Sequence, residues 1–264
     1  MKYYHKALYD EMTSFYIITR EDSDDGLQRL RGLIGGLVRQ ARKKIDPSWE
    51  TKKKIHHLLQ LMYGEWGFIC DSERYFELEN LYLDQVLTQR RGMPVTLGAI
   101  LLYLAESLKL PIYPVNFPTQ LILRADVDDE VAFIDPWNGQ YMTHKQLTQL
   151  YEGAFGFGAE LTLDVLDIAD ATELTDRFCQ LAKHALIREF KNYEAYQYIE
   201  MLLSRNPEDP YEIRDRGVVL TQMGCMQAAL NDFEYFLEKC PEDPTALLLM
   251  PQLEELKLEI ESIH

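Results

Sequence analysis

The sequence has no pair of cysteines at CxxC spacing, and its four cysteines, at 70, 179, 225 and 240, stand alone. That rules out a disulfide framework and a thiolate zinc motif. Glycine (14) and proline (11) are too scarce for a collagenous or low-complexity chain. The opening stretch, MKYYHKALYDEM, lacks the apolar run of a signal peptide. Long uncharged runs are lacking too. Met93–Ala105 and Leu110–Leu123 fall short of a membrane span, and the second contains three prolines. These absences predict a cytoplasmic protein with no membrane segment.

Basic residues are also few, 27 against 43 acidic ones, for a formal charge of −16. The imbalance grows along the chain: residues 1–164 carry net −5 and residues 165–264 net −11. Nonspecific nucleic-acid binding needs cations to replace counterions, so nucleic acid is an improbable partner. Nine basic residues do gather between Arg29 and Lys54. They read as solvated helix faces, with a nucleic-acid-associated regulator as the alternative they leave open.

What is present is 264 residues with 47% hydrophobic content, enough for one large domain or two ordinary ones. The second half repeats itself. NPEDP at 206–210 returns as CPEDP at 240–244, an offset of 34 residues. At the same offset Ala195 matches Ala229, Ile199 matches Phe233, and Leu202 matches Phe236. This is the period and the small-then-large pattern of tetratricopeptide repeats, in which each unit is a helix pair. Gly217 falls where the two helices of a repeat cross, and Lys183 stands at that place one repeat earlier. Gly224 should stop its helix. The last helix, Thr245–Ile260, should be interrupted at Pro251.

In the first half, Asp22–Arg42 has helical spacing with Asp24 as a candidate cap, and Pro47 should open a helix over Ser48–Met62. Gly64–Gly67 reads as a turn. Thr96–Leu108 is apolar on all sides and belongs in the middle of a domain. Strands are expected at Ile112–Asn116, Leu121–Ala125 and Val131–Asp135, joined by turns at Asp128-Asp129 and at Asn138-Gly139. A buried helix followed by an antiparallel meander is an α+β domain. The boundary between the halves is placed at 165/166, giving domains 1–165 and 166–264.

The stretch RRGMPVTLGAILLYLAESLKLPIYPVNFPTQLILRAD…FIDPWNG resembles the N-terminal domain of the bacterial SirB family, a transglutaminase-like domain followed by tetratricopeptide repeats. The resemblance implies a transglutaminase/papain-like fold with a central helix against an antiparallel sheet. It also implies where a Cys, a His and an Asp would sit in the superfamily's enzymes. A cysteine should begin the central helix, but Pro94, Val95 and Thr96 stand there. A histidine should follow the Asn116-Phe117-Pro118 turn, but Gln120 stands there. Asp135 alone keeps the superfamily residue. Thr96, Gln120 and Asp135 are therefore the candidates for a relic site. Gln120 and Asp135 should lie on neighbouring strands as a hydrogen-bonded pair. An amide cannot take up a proton near neutrality, and a hydroxyl needs a base to attack.

No cofactor and no metal is predicted. His56 and His57 are adjacent and point in different directions on a helix, and His5, His144, His184 and His264 are scattered. Gly153–Gly158 has no lysine after it and follows a helix, so it is not a phosphate loop. Its aromatics, Phe155 and Phe157, should tuck into the core. Cys70 reads as a buried structural thiol. The functional expectation is a non-catalytic protein-binding or regulatory scaffold that uses a repeat groove and a degenerate cleft to hold a protein or peptide. An acyl-transfer or amide-hydrolase enzyme with an atypical nucleophile is the alternative. The sequence does not set the oligomeric state.

Overall fold

A computed structural model describes residues 4–20 and 23–263. The chain divides into two compact units, Met1–Ala182 and Lys183–His264. In the first, helices α1 (Tyr4–Thr19), α2 (Ser23–Lys44), α3 (Thr51–Leu59), α4 (Leu83–Gln89) and α5 (Pro94–Ser107) precede a four-stranded sheet. The strands are β1 (Ile112–Val115), β2 (Ile122–Val127), β3 (Glu130–Asp135) and β4 (Gln140–Met142), followed by α6 (His144–Phe155) and α7 (Ala171–Arg188). The division between the units falls within α7.

Helix α5 organises this unit. Pro94 fits its first turn, where a missing N–H costs no intrahelical bond. Val95, Leu97, Ile100, Leu101, Leu102 and Leu104 are all buried, covering every side of the helix. It packs on α1, α2, α4, β1 and β2. Gly98 permits close approach, because a β-carbon there would come within 2.5 Å of Leu121 and 3.5 Å of Pro136.

The sheet is an antiparallel meander in the order β1-β2-β3-β4, with Val115 opposite Ile122, Leu123 opposite Ile134, and Asp135 opposite Gln140. Asp128 and Asp129 form the β2–β3 turn with φ of 53° and 61°. Such left-handed pairs match the twist of a two-residue hairpin, and aspartate tolerates them better than most residues. One sheet face packs Val115 and Ile122 against Leu147 of α6. Successive side chains alternate, so Leu123 points to the other face. The short strand β4 was not foreseen in the sequence, because three residues carry too little alternation to show.

Three further expectations are corrected. Helix α3 starts at Thr51, not Ser48, because Asp46 Oδ1 accepts bonds from the Ser48 N–H (2.8 Å) and hydroxyl (2.7 Å) and closes residues 46–49 into a turn. At its other end the chain continues through a π-helical turn, Gln60–Glu65, so Gly64 is helical and Gly67, at φ 69°, makes the bend. Phe155 and Phe157 do not enter the core: they are 59% and 100% exposed, Phe155 as the last residue of α6 and Phe157 in the loop after it, where Gly156 and Gly158 have positive φ. Asp22 and the Asp24 side chain lie outside the described residues, so the cap expected there does too.

The second unit continues from the end of α7 through α8 (Asn192–Arg205), α9 (Pro210–Gln222), α10 (Met226–Lys239) and α11 (Pro244–Ile263). Ala195, Ile199, Ala229, Phe233 and Phe236 are buried, as the 34-residue pattern requires, and Leu202 is half-buried. Gly224 has φ 76°. Helix α11 runs through Pro251 without a break. The ring costs the Leu247 carbonyl its helical partner, but both residues are exposed and water can replace the bond.

Candidate functional site

Asp135 ends β3, and Gln120 lies in the loop two residues ahead of β2 rather than in a strand. The Leu123–Ile134 register brings that loop alongside the end of β3. There the Gln120 side-chain amide donates to Asp135 Oδ1 at 3.1 Å. The same oxygen accepts the Trp137 backbone N–H at 2.9 Å. The Asp135 carbonyl accepts from Gly139 at 2.8 Å, so this residue also shapes the β3–β4 turn. Burial raises the Asp135 carboxyl above its ordinary range, and the two donated bonds only partly offset it.

Thr96 does not join this pair through its hydroxyl. It is fully buried, and its Oγ1 is shared between the carbonyls of Asn80 (2.8 Å) and Met93 (3.0 Å). It ties the start of α5 to the loop before α4. A hydroxyl committed to two main-chain carbonyls has no base beside it to activate it.

The structure adds residues that sequence reasoning did not connect to Asp135. Cys70 reaches the β3–β4 turn through its backbone N–H, which donates to the Trp137 carbonyl at 3.3 Å. Its thiol is buried and pushed up to about 12, first by burial and then by the negative charges of Asp135 and Asp71. At neutral pH such a thiol is ionised to roughly one part in 10⁵. The Tyr63 hydroxyl donates to the Pro136 carbonyl at 2.8 Å, and burial together with Asp135 holds its own proton on tightly. Tyr75 stacks on Trp137 with ring centroids 5.4 Å apart. Arg177 pins the Asn116-Phe117 turn by bonds to Asn116 Oδ1 (2.6 Å) and the Phe117 carbonyl (2.5 Å), and burial lowers the affinity of its guanidinium for its proton. These partners come from distant parts of the chain and share no spacing, so the sequence carries no signal for them.

Beside the turn, two adjoining depressions of about 300 and about 340 Å³ share His56 and Tyr141. The first lies between the π-helical turn and Asn138-Gly139. The second lies between α3 and the β2–β3 hairpin, where Lys52 and Glu130 form an ion pair at 2.7 Å. Among the described residues no group of three or more His, Cys, Asp or Glu is arranged to hold a metal ion. Nor is any described helix long and apolar enough to cross a membrane.

In the second unit, Gly217 sits against Phe233, and an added β-carbon would lie 2.7 Å from the ring. Lys183, its counterpart one repeat earlier, is fully buried, with Nζ 2.7 Å from Glu212 and 2.6 Å from Asp215. Burial opposes ionisation of Asp215, but His184, Lys183 and Arg214 together hold its carboxyl far below the usual range.

A family model described as the transglutaminase-like superfamily matches residues 28–180, and a tetratricopeptide-repeat model matches residues 182–254. UPF0162 protein PM0557 of Pasteurella multocida is 62% identical over 264 residues, the full length of both chains. UPF0162 protein YchA of Escherichia coli strain K12 is 40% identical, covering 89% of this chain and 86% of that one. Protein SirB1 of Salmonella typhimurium is 42% identical, covering 82% of this chain and 81% of that one. No solved structure matches the chain. A helix-centred α+β unit with an antiparallel meander, a helical repeat of 34 residues behind it, and relatives that match along most of their length agree on one assignment: the chain belongs to the SirB/UPF0162 family, transglutaminase-like proteins that carry tetratricopeptide repeats.

Proposed function

We propose that this chain is a non-catalytic protein-binding module of scaffolding or regulatory type, acting in the cytoplasm. Its surfaces are the groove of the repeats and the degenerate cleft of the transglutaminase-like unit. The observation that carries this reading is the Gln120–Asp135 bond. A carboxylate that would orient an imidazole in an acyl-transfer enzyme here holds a carboxamide, which neither accepts nor delivers a proton near pH 7. The start of α5 offers proline and a committed threonine in place of a thiol. The Cys70 thiol, the alternative nucleophile, is held protonated by burial and by the charges of Asp135 and Asp71.

Two depressions of ligand size, one beside Asn138-Gly139 and one beside the β2–β3 hairpin, give the transglutaminase-like unit an open surface next to, and not lined by, Gln120 and Asp135. Repeats of this kind form extended binding surfaces. Net charge of −16 favours a protein partner over nucleic acid. The test is affinity capture with the full chain from extract of the source cell at gentle salt, followed by mass spectrometry. A discrete partner retained by wild type, and lost when His56 and Tyr141 are replaced by Glu and Ala or when the repeats are disrupted, is the expected result. Turnover of amide substrates that is abolished by thiol alkylation would overturn the proposal.

A further inference from the structure

Arg177 of α7 holds the turn ahead of Gln120 with one edge of its guanidinium and leaves the other edge unused. Its Nε donates to Asn116 Oδ1 at 2.6 Å, and its Nη2 donates to the Phe117 carbonyl at 2.5 Å. Both acceptors are neutral, and together they take two of the five N–H groups a guanidinium carries. The edge formed by Nη1 and the second hydrogen of Nη2 has no acceptor among the described residues. Nη1 is not sealed from solvent, as Nη1 of Arg90 is. The other half-buried arginines are answered differently. Arg91 has Glu77, Arg124 has Asp126, Arg214 has Asp215, and Arg216 has Asp232 and Glu200. Arg90 lies over the Phe68 ring at 4.7 Å. Glu173, one turn before Arg177 on α7, is committed to the Asp170 N–H at 3.0 Å. In a chain with 43 acidic residues, this one half-buried guanidinium has neither a carboxylate nor a ring over it.

The surroundings narrow what would complete it. Burial raises the Tyr75 hydroxyl above its ordinary range while the charge of Arg177 pulls the other way, so the two side chains are neighbours. Tyr75 stacks on Trp137 at an interplanar angle of 16°, and Phe76, 65% exposed, meets Tyr75 edge-on at 4.9 Å. An open cationic fork thus stands beside an aromatic wall. A charge drawn partly out of water is costly until an anion pairs with it. The free edge offers two parallel N–H groups, which match the two oxygens of a planar carboxylate. A phosphate dianion would call for a second cation. Arg177 is the one cation whose charge reaches Tyr75, and none among the described residues reaches Cys70 or Asp135.

We propose that Arg177 anchors a carboxylate of a bound peptide, either an acidic side chain or a C-terminus, with an apolar neighbour of that carboxylate lying on Tyr75, Phe76 and Trp137. This rests on the reading of the chain as a binding module and names a residue and a ligand chemistry for its degenerate cleft. The bonds to Asn116 and Phe117 fix the guanidinium before the ligand arrives, so little freedom is lost on binding. The guanidinium selects the charge, and the rings supply the burial.

The test titrates the full chain with short acetylated peptides and follows the indole N–H resonance of Trp137, identified by its loss in Trp137→Phe. The neutral probe is acetyl-Gly-Phe-Gln-Phe-Gly-amide. One relative carries Glu in place of Gln, a second keeps Gln and frees the C-terminal carboxylate, and a third carries phosphoserine in place of Gln. At least one carboxylate peptide should shift the resonance saturably and the neutral one should not, and comparing the two carboxylate forms tells side chain from C-terminus. Arg177→Gln should weaken that binding at least about tenfold, and Arg177→Lys should restore it only in part, because an ammonium keeps the charge and loses the fork. Since these variants also touch the Asn116-Phe117 turn, wild type supplies a second measurement. Phenylglyoxal, which reacts with the Nη1–Nη2 edge, should modify Arg177 several-fold more slowly with the carboxylate peptide present, as read by peptide mass mapping. Equal binding of neutral and carboxylate peptides, or a carboxylate peptide that leaves Arg177 unprotected, would overturn the inference. A phosphoserine peptide that displaces both carboxylate forms would overturn the assignment to carboxylate. A natural partner captured equally by wild type and by Arg177→Gln would sink this anchor and leave the broader reading standing. Carboxylate peptides held through Arg177, with no protein captured by either form, would do the reverse.

Discussion

The Nζ of Lys183 lies 2.6 Å from Oδ2 of Asp215 in a place where the lysine has no solvent exposure at all. The next repeat meets the corresponding position with Gly217, so one repeat uses a bare backbone where its neighbour uses a buried cation with two carboxylates around it.

Removal of the cation should therefore be costly. Lys183→Met leaves Glu212 and Asp215 buried without their shared partner, and breaking a buried pair in this way costs about 3–5 kcal/mol. Urea denaturation followed by circular dichroism would measure it. An unchanged midpoint would show that water enters the site and replaces the lysine.

The same cluster sets a dependence on pH. The folded Asp215 carboxyl is held below its unfolded value, so its contribution to stability is complete above the unfolded value of about 3.9. It is lost as pH falls from there towards the folded value. The advantage of wild type over Asp215→Asn should stay level between about pH 5 and pH 8 and shrink below about pH 4. Denaturation curves of both proteins across that range check the sign.

Gly217→Leu should destabilise the repeats by about 1–3 kcal/mol, the usual cost of overpacking. A β-carbon there meets the Phe233 ring at 2.7 Å and the Asp232 β-carbon at 3.2 Å. Chemical denaturation reports the change, and an unaltered midpoint and slope would contradict the close approach.

Alkylation by iodoacetamide should distinguish the cysteines. Exposed Cys225 should react readily at pH 7.5, while Cys70 should react slowly, with a rate that climbs about tenfold per pH unit through the alkaline range. Asp135→Asn should lower the Cys70 value, because it removes one of the negative charges that raise it. Peptide mass mapping after timed quenching would follow both thiols. Equal rates at the two sites would contradict the buried, protonated thiol.

The parts of the fold that follow a period were legible in the residues. The all-round apolar helix α5, the 34-residue echo behind Ala195 and Ala229, and the Asp128-Asp129 turn all express local rules. Pro47 misled because proline is at home in the first turn of a helix and also in a tight turn, and the Asp46 side chain decides between them through Ser48. Phe157 misled because an aromatic between glycines has no period from which to read its burial, and Phe155 because it ends α6 and rests on the Tyr151 ring one turn earlier. At the candidate site, the partnership of Gln120 with Asp135 was readable from the order of helix and strands. The approach of Cys70 and Tyr63 to the same turn was not, since their contacts span more than sixty residues and depend on the π-helical turn.

Asp135 holds the β3–β4 hairpin together whether or not any reaction occurs nearby: its side chain takes the Trp137 N–H and its carbonyl takes that of Gly139. An aspartate so placed has an architectural reason to be there that owes nothing to a nucleophile or a base. A substitution scan that found Asp135 indispensable would be scoring the integrity of a corner, and the usual inference from an essential acid to a working active site would fail in this protein.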